Sequence, residues 1–411
     1  MDSADFIQLN HQTCPMLKAK IKERVDDYHK ETVAIRRHLH AHPELSFQEK
    51  ETARYISDQL TNYGVSHETG IADTGVVALI KGGNPDKKVI ALRADIDALP
   101  ITEANEVPYK SKNAGVMHAC GHDVHTTSLL GAARILQELK DEFEGTVKLI
   151  FQPGEEKLPG GASLMIKAGA LENPKPEGIF GQHVHPPLAA GKVGFRPGMY
   201  MASADELHVS VRGKGGHGAM PHENIDPILI TSHILVALQQ IVSRHANPLI
   251  PSVLTFGKIN SVGGATNIIP EEVKIEGTFR TLNEKWRFAA HQKMKHMAEQ
   301  IAIGMGGTCD FEVEVGYPML QNEEGLTAKA RTYAEEYLGK ENVVELPMRL
   351  TGEDFAYYSQ AMPACFYRLG TGNVERGITS SVHTPTFDID EEALKVGVGL
   401  MVWLAVQGLA D

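Results

Sequence analysis

Two kinds of predicted strand occupy separate stretches of this chain, and each kind requires a different sheet. Up to about residue 200 the runs GVVALIKGG (75–83), KVIALRAD (88–95), GTVKLIFQP (145–153) and EGIFGQHV (177–184) are short and continuously apolar or β-branched. They alternate with helical segments such as ETARYISDQLTNYG (51–64) and TTSLLGAARILQELKDE (126–142), the latter with Asp123 as its expected N-cap. Strands apolar on both faces, alternating with helices, predict a mostly parallel α/β sheet covered on both sides. The character then changes. ELHVSVRG (206–213), SVLTFGKI (252–259), EEVKIEGTFRT (271–281) and TCDFEVEVG (308–316) alternate polar and apolar residues, with helices expected at 226–245 and 284–307. That order, β-α-β-β-α-β, is the ferredoxin-like pattern, with one sheet face turned to solvent or a partner. Mixed helix and strand resume after about 316 and end in a helix near 390–408. The predicted organisation is an α/β domain made of 1–200 and 316–411, interrupted by a compact inserted domain at 201–315.

Composition removes several function classes. The chain of 411 residues has a formal net charge of −12 and no basic tract, which argues against a nucleic-acid partner. No apolar run approaches the roughly 20 residues of a membrane span, so no membrane association is expected. The start, MDSADFIQLN, lacks the basic and apolar regions of a secretory signal. Four cysteines, at 14, 120, 309 and 365, form no CxxC pair, so disulfides do not organise the fold and a reducing cytoplasm is the expected location.

The densest chemistry is MHACGHDVH (117–125), with three histidines, a cysteine and an aspartate in nine positions. Other reactive residues lie just after predicted strands, where α/β sheets bind ligands. RADIDALP places Asp95 and Asp97 there, FQPGEE places Glu155 and Glu156, and GQHVHP places His183 and His185. SSVHTPTF holds His383 in a polar loop. Each has a bland reading alone: Cys120 as a small buried hydrophobe, Glu155–Glu156 as a solvated pair, His383 as a surface residue. Together they favour a metal site. A thiolate beside imidazole suits Zn²⁺, and added carboxylate admits Mn²⁺ or Co²⁺. The adjacent glutamates are expected on an extended segment, where neighbouring side chains point apart, so one can bind metal while the other faces the activated water.

The ordered strings RADIDALP, HACGHDVHT, FQPGEE, GQHVHP, GKGGHGAMPH, NIIP, GTFRT, TGEDFAYY and VHTPTF, with RRHLHAHPELSFQEKET at 36–52, span nearly the whole chain. This set resembles the metal-dependent amidohydrolases: aminoacylases, hippurate hydrolases, hydrolases of indole-acetyl amino acids and carboxypeptidase-type relatives. One departure is Gly154, where many relatives carry alanine. The resemblance implies a metallopeptidase-like catalytic domain and an inserted lid or dimerisation domain. It implies Cys120, His122, Glu156, His183 and His383 as ligands of one or two divalent metal ions (Zn, Mn or Co), and Glu155 as the general base. Asp97 is implied beside the metal centre. His217, in GKGGHG, is implied to hold substrate or the oxyanion, with Asn267 and Arg280 as further substrate-binding residues. His118, His125, His185 and His222 are expected to support the site.

The activity so implied is hydrolysis of the amide bond of N-acyl amino acids by a homodimer or higher homo-oligomer. A dipeptidase or carboxypeptidase could use the same centre. A non-catalytic metal-binding protein is disfavoured by Glu155 standing beside five candidate ligands. A thiol enzyme using Cys120 would survive chelation and be lost to alkylation.

Overall fold

The computed structural model describes residues 3–411, with side chains from residue 15 onward, so Cys14 lies outside the described side chains. The chain opens with α1 (Ser3–Ala41), α2 (Lys50–Asn62), β1 (Ser66–Ile71), β2 (Gly75–Lys81), β3 (Val89–Asp95), α3 (His122–Glu138), β4 (Thr146–Gln152), α4 (Gly161–Lys167), β5 (Gly178–Ala189) and β6 (Val193–Phe195). A middle section holds β7 (Gly198–Met201), β8 (Asp205–Arg212), β9 (Gly216–His217), α5 (Pro227–Leu238), β10 (Ser252–Val262), β11 (Ile268–Ile269), β12 (Glu272–Thr281), α6 (Glu284–Gly304) and β13 (Thr308–Glu314). The chain ends with β14 (Leu320–Asn322), α7 (Glu324–Leu338), β15 (Val343–Glu345), α8 (Ala356–Ala361), β16 (Ala364–Gly372) and α9 (Ala393–Ala410).

Two compact units result. The first comprises the chain up to Gly198 with Gln321–Pro347 and Tyr357–Asp411; the second is Met199–Leu320 with Met348–Ala356. Strand character alone would leave Met348–Ala356 in the first unit. In the structure this segment lies beside the end of β12, where Arg280 Nη1 donates to the Leu350 carbonyl at 3.4 Å.

The first unit is built on an eight-stranded sheet of order β1-β2-β4-β3-β5-β16-β6-β15. Its centre, β4-β3-β5-β16, is parallel throughout. All residues of β3, β4 and β16 are buried, as expected of strands covered on both faces. Helix α9 is apolar all round and packs against α1, α3, α7 and the sheet. It corrects the expectation that no apolar run approaches span length: among the described residues it alone is long and apolar enough to cross a membrane, but 78% of it is buried inside the unit. Helix α1 was not evident from the sequence. Leu17, Ile21 and Val25, then Ile35 and Leu39, recur at four-residue spacing on its buried side.

Two local expectations change. Helix α3 begins at His122, so Asp123 sits in its first turn and Gly121, in the left-handed region, is the N-cap. Strand β5 continues past the prolines at 186 and 187, because β16 keeps pairing with it across a register shift between Gly370 and Gly372. His183 is therefore inside a strand rather than beyond its end.

The second unit is a four-stranded antiparallel sheet of order β10-β12-β8-β13, with α5 and α6 packed on it. Along β8, Leu207, Val209 and Val211 are buried while Glu206 and Arg212 are exposed. The segment expected as one helix over 226–245 is α5, capped by Asp226, followed by a π-turn at Ile241–His245.

A buried ionic hub ties β8 to α6. Asp205 accepts from Arg287 Nε at 2.9 Å and Nη2 at 2.5 Å, from the Gly316 amide at 3.1 Å, and lies 2.7 Å from His291 Nε2. Asp205→Ala leaves the Arg287 guanidinium buried without its main counter-charge, so unfolding free energy in urea is expected to fall by about 3–5 kcal/mol. Burial alone would raise the Asp205 pKa, but Arg287 and His291 hold it below the ordinary range. Its folded pKa is thus depressed, and its contribution is present above the ordinary carboxylate pKa of about 3.9 and lost as pH falls below it. The stability gap between wild type and variant is expected to narrow under acid and stay wide at neutral pH.

Candidate metal centre

The carboxyl ends of the central parallel strands position the site, with three loops converging on it. Strand β3 leads into Asp97, and β4 leads into the turn at Gly154–Glu156. The residues ahead of α3 supply Cys120, and the first turn of α3 supplies His122. The loop bearing His383 is fastened to this place by its own backbone, the His383 amide donating to the Ala119 carbonyl at 2.8 Å.

The five expected ligands lie together. Cys120 Sγ is 3.4 Å from His183 Nε2 and 3.3 Å from His383 Nε2. Glu156 Oε1 is 3.1 Å from His383 Nε2 and 4.0 Å from His122 Nε2. Glu155 Oε2 is 3.9 Å from His122 Nε2. Both glutamates thus approach one imidazole, contrary to the extended-segment expectation. The reason is Gly154, whose φ of 58° turns the chain before the pair.

The imidazoles are held in defined orientations. His122 Nδ1 faces Asp97 Oδ1 at 3.1 Å, and His183 Nδ1 faces the Val184 carbonyl at 2.8 Å. Each partner can only accept, so each Nδ1 carries the proton and Nε2 points into the cluster. Asp97 is wholly committed: its other oxygen accepts from Ser46 Oγ at 2.6 Å and from the Glu156 amide at 3.0 Å. His125 is a supporting residue. Its Nδ1 is 2.5 Å from Asp95 Oδ1 and its Nε2 accepts from the Val184 amide, so neither ring nitrogen is open to a metal.

Electrostatics and unfilled valences fit a cation. His122 Nε2 and Glu156 Oε1 are buried without a hydrogen-bond partner; the 3.1 Å approach of His383 to that oxygen lacks hydrogen-bond geometry. Burial lowers the His122 pKa, but Asp95, Asp97 and Glu156 outweigh it and push it up to about 10. The carboxylates thus favour a positive charge at this point. Burial, followed by Glu156, Glu155 and Asp95, pushes the Cys120 thiol well above its ordinary range. That is the reverse of an activated thiolate nucleophile and speaks against the thiol-enzyme reading. Sulfur, imidazole nitrogen and carboxylate oxygen at 3.1–4.0 Å separations are the donor chemistry and spacing of neighbours around an ion with bonds of about 2.0–2.3 Å.

A family model, Peptidase family M20/M25/M40, matches residues 91–407. The chain belongs to this family. An IAA-amino acid hydrolase ILR1-like 4 from Arabidopsis thaliana is 40% identical over 94% of this chain and 87% of its own length. An N-acyl-L-amino acid amidohydrolase from Geobacillus stearothermophilus is 43% identical over 75% of this chain and 83% of its own. The crystal structure of the Bacillus subtilis YXEP protein, described as a dinuclear metal-binding peptidase, superposes with a TM-score of 0.81 at 37% identity, covering 94% of this chain and 99% of that one.

The expected substrate-binding residues His217, Asn267 and Arg280 lie in the second unit of this M20-family chain. His217 is exposed on β9, its carbonyl accepting from Asn224 Nδ2 at 3.1 Å and its Nδ1 from the Ala219 amide at 3.0 Å. Asn267 is on the same small ribbon: β9 pairs with β11, and the Asn267 carbonyl accepts from the Gly218 amide at 2.8 Å. Arg280 stands apart, near the end of β12.

Sequence reasoning missed the supports behind the cluster. Arg36 of α1 is fully buried and donates to Asp123 and to Asp388, each at 2.9 Å. His40 bridges Asp123 at 2.7 Å and Glu103 at 3.3 Å. One arginine therefore braces the start of α3, beside His122, and the segment just after His383. The only signal for this was the charge density of RRHLHAHPE itself.

Proposed function

We propose that this chain is a metal-dependent hydrolase of the amide bond in N-acyl amino acids, using one or two divalent metal ions held by Cys120, His122, Glu156, His183 and His383. The observation that carries the reading is the convergence of these five donors with Glu155, in a site where His122 Nε2 and Glu156 Oε1 are buried without a hydrogen-bond partner. The Arabidopsis and Geobacillus relatives, whose names specify amino-acid conjugates and N-acyl amino acids, support the substrate class. A bound divalent ion would polarise the scissile carbonyl and acidify water there.

The chain's own residues do the rest. Asp97 and the Val184 carbonyl fix the tautomers of His122 and His183, so both Nε2 lone pairs stay directed into the site. Glu155, 7% exposed, takes the proton from the attacking water as the new C–O bond forms, then gives it to the amine nitrogen as the C–N bond breaks. A small-molecule substrate suits this chemistry, and the net charge of −12 disfavours nucleic acid. We place the enzyme in the cytoplasm, supported by free thiols at Cys120, Cys309 and Cys365.

The test is a kcat/KM panel on metal-loaded enzyme with acetyl, benzoyl, indole-acetyl and long-chain acyl amino acids, dipeptides alongside. At least one acyl amino acid is expected to outrun every dipeptide. Cleavage of dipeptides alone would make the chain a peptidase.

We propose for the second unit a lid and dimer-contact role, with His217 as a donor to the substrate oxyanion; the resemblance at GKGGHG supports this. Removing such a donor typically costs about 10²–10³ in rate. His217→Ala is expected to lose that much with metal content and folding unchanged. If the donor serves a neighbouring subunit, mixing His217→Ala with Glu155→Gln is expected to restore activity, because one hybrid site keeps both groups. A fully active His217→Ala enzyme would remove the residue from catalysis.

A further inference from the structure

Glu49 is a fully buried carboxylate placed where a helix cap belongs, yet it does not cap. It is the N-cap residue of α2, and its side chain makes no bond to that helix. Glu44 does that work instead, accepting from the Glu51 amide at 3.2 Å and from the Thr52 amide and hydroxyl at 2.8 and 2.9 Å. Glu49 reaches in the other direction. Its Oε1 accepts from the Gly154 amide at 2.8 Å and the Phe47 amide at 2.9 Å, and its Oε2 from Thr74 Oγ1 at 2.8 Å.

Gly154 opens the turn that carries Glu155 and Glu156, and this turn is pinned on every side. Glu49 holds the Gly154 amide, the Gly161 amide holds the Gly154 carbonyl at 2.9 Å, and Asp97 holds the Glu156 amide at 3.0 Å. Phe47 closes the remaining space. Its own φ is 64°, unfavourable for an aromatic residue, and its ring lies so close that a Cβ on residue 154 would be 2.3 Å from Phe47 Cε1. The neighbouring Ser46 binds Asp97. One short segment, 46–49, thus grips both Asp97 and the glutamate turn, and Gly154 is glycine because Phe47 occupies the place of a side chain.

We propose that Glu49 is a positioning residue for Glu155: by holding the Gly154 amide, with Phe47 packed on the glycine, it sets the orientation of the turn from which Glu155 reaches the water. This rests on Glu155 being the general base. Misplacing a reacting group by about 1 Å can cost about 10²-fold. Glu49→Ala should therefore lower kcat by about 10–100-fold, with KM changed by less than about threefold and metal stoichiometry, read by equilibrium dialysis, unchanged. Glu49→Gln retains an oxygen for both amides, and the Thr74 hydroxyl can turn to accept from the new amide, so its kcat should stay within about threefold of wild type.

The deciding experiment is a double-mutant cycle of Glu49→Ala with Glu155→Gln, each variant checked for folding by thermal unfolding and for metal content. The expected result is that Glu49→Ala costs kcat in the wild-type background and nothing further once Glu155 is replaced. Equal losses in both backgrounds, or a folded Glu49→Ala enzyme with wild-type kcat, would overturn the positioning role. A fully active Glu155→Gln enzyme would instead overturn the base assignment. If Glu49→Ala does not fold, Gly154→Ala decides: it should lose kcat with metal retained and regain activity when Phe47→Ala removes the opposing ring. Failure of that second substitution to recover any activity would overturn the proposal.

Discussion

Glu155→Gln is expected to lower kcat by about 10²–10⁴-fold while divalent-metal content stays near wild type. Glutamine keeps the shape of the side chain and removes its capacity to take a proton. Glu156→Gln should behave differently. Glu156 Oε1 is buried without a hydrogen-bond partner, and Glu156 is the carboxylate grouped with both Cys120 and His383. Its replacement should lower metal content and activity together. Measuring kcat and bound metal on both variants separates the roles of neighbours whose oxygens are both within 4.0 Å of His122 Nε2. A Glu155→Gln enzyme that loses its metal beside a Glu156→Gln enzyme that keeps it would reverse the assignment.

Much of the site was legible because a parallel sheet brings the carboxyl ends of its strands to one edge. RADIDALP, FQPGEE and GQHVHP are far apart in the chain but belong to β3, β4 and β5, which neighbour one another in the order β4-β3-β5. Strand character also separated the two sheets, since the buried strands read as unbroken apolar runs and β8 reads as an alternation. The positions that failed are those decided by distant residues. Asp123 has the composition of an N-cap, but Arg36 and His40, more than 80 residues earlier, draw its carboxylate away from that role. His183 is expected at a strand end, and only the partner strand β16 shows that pairing continues past Pro186 and Pro187.

Helix α1 is hidden in the sequence for a different reason. Its buried stripe is completed by Thr32 and Arg36, polar residues that hide a helical period when only apolar positions are counted. Gly154 shows the same limit at one residue. As a letter it is a minor departure from the resemblance; in the structure its positive φ and the Phe47 ring against it decide where both glutamates point.

The second large effect is expected from removing the metal. The buried carboxylates around His122 and the raised Cys120 thiol describe a donor set that favours positive charge, and His122, His183 and His383 offer nitrogen donors at the same point. A divalent ion would hold Cys120 as thiolate and displace the proton from His122, so binding should release protons and weaken as pH falls. Without the ion, Glu155 has no acidified water to deprotonate and the scissile carbonyl is not polarised. The most direct measurement is hydrolysis of an N-acyl amino acid by enzyme stripped with chelator, verified metal-free, then titrated with Mn²⁺, Zn²⁺ or Co²⁺. The predicted result is no hydrolysis in the stripped enzyme and recovery that saturates at one or two ions per chain. Full activity in the verified metal-free enzyme would contradict the account.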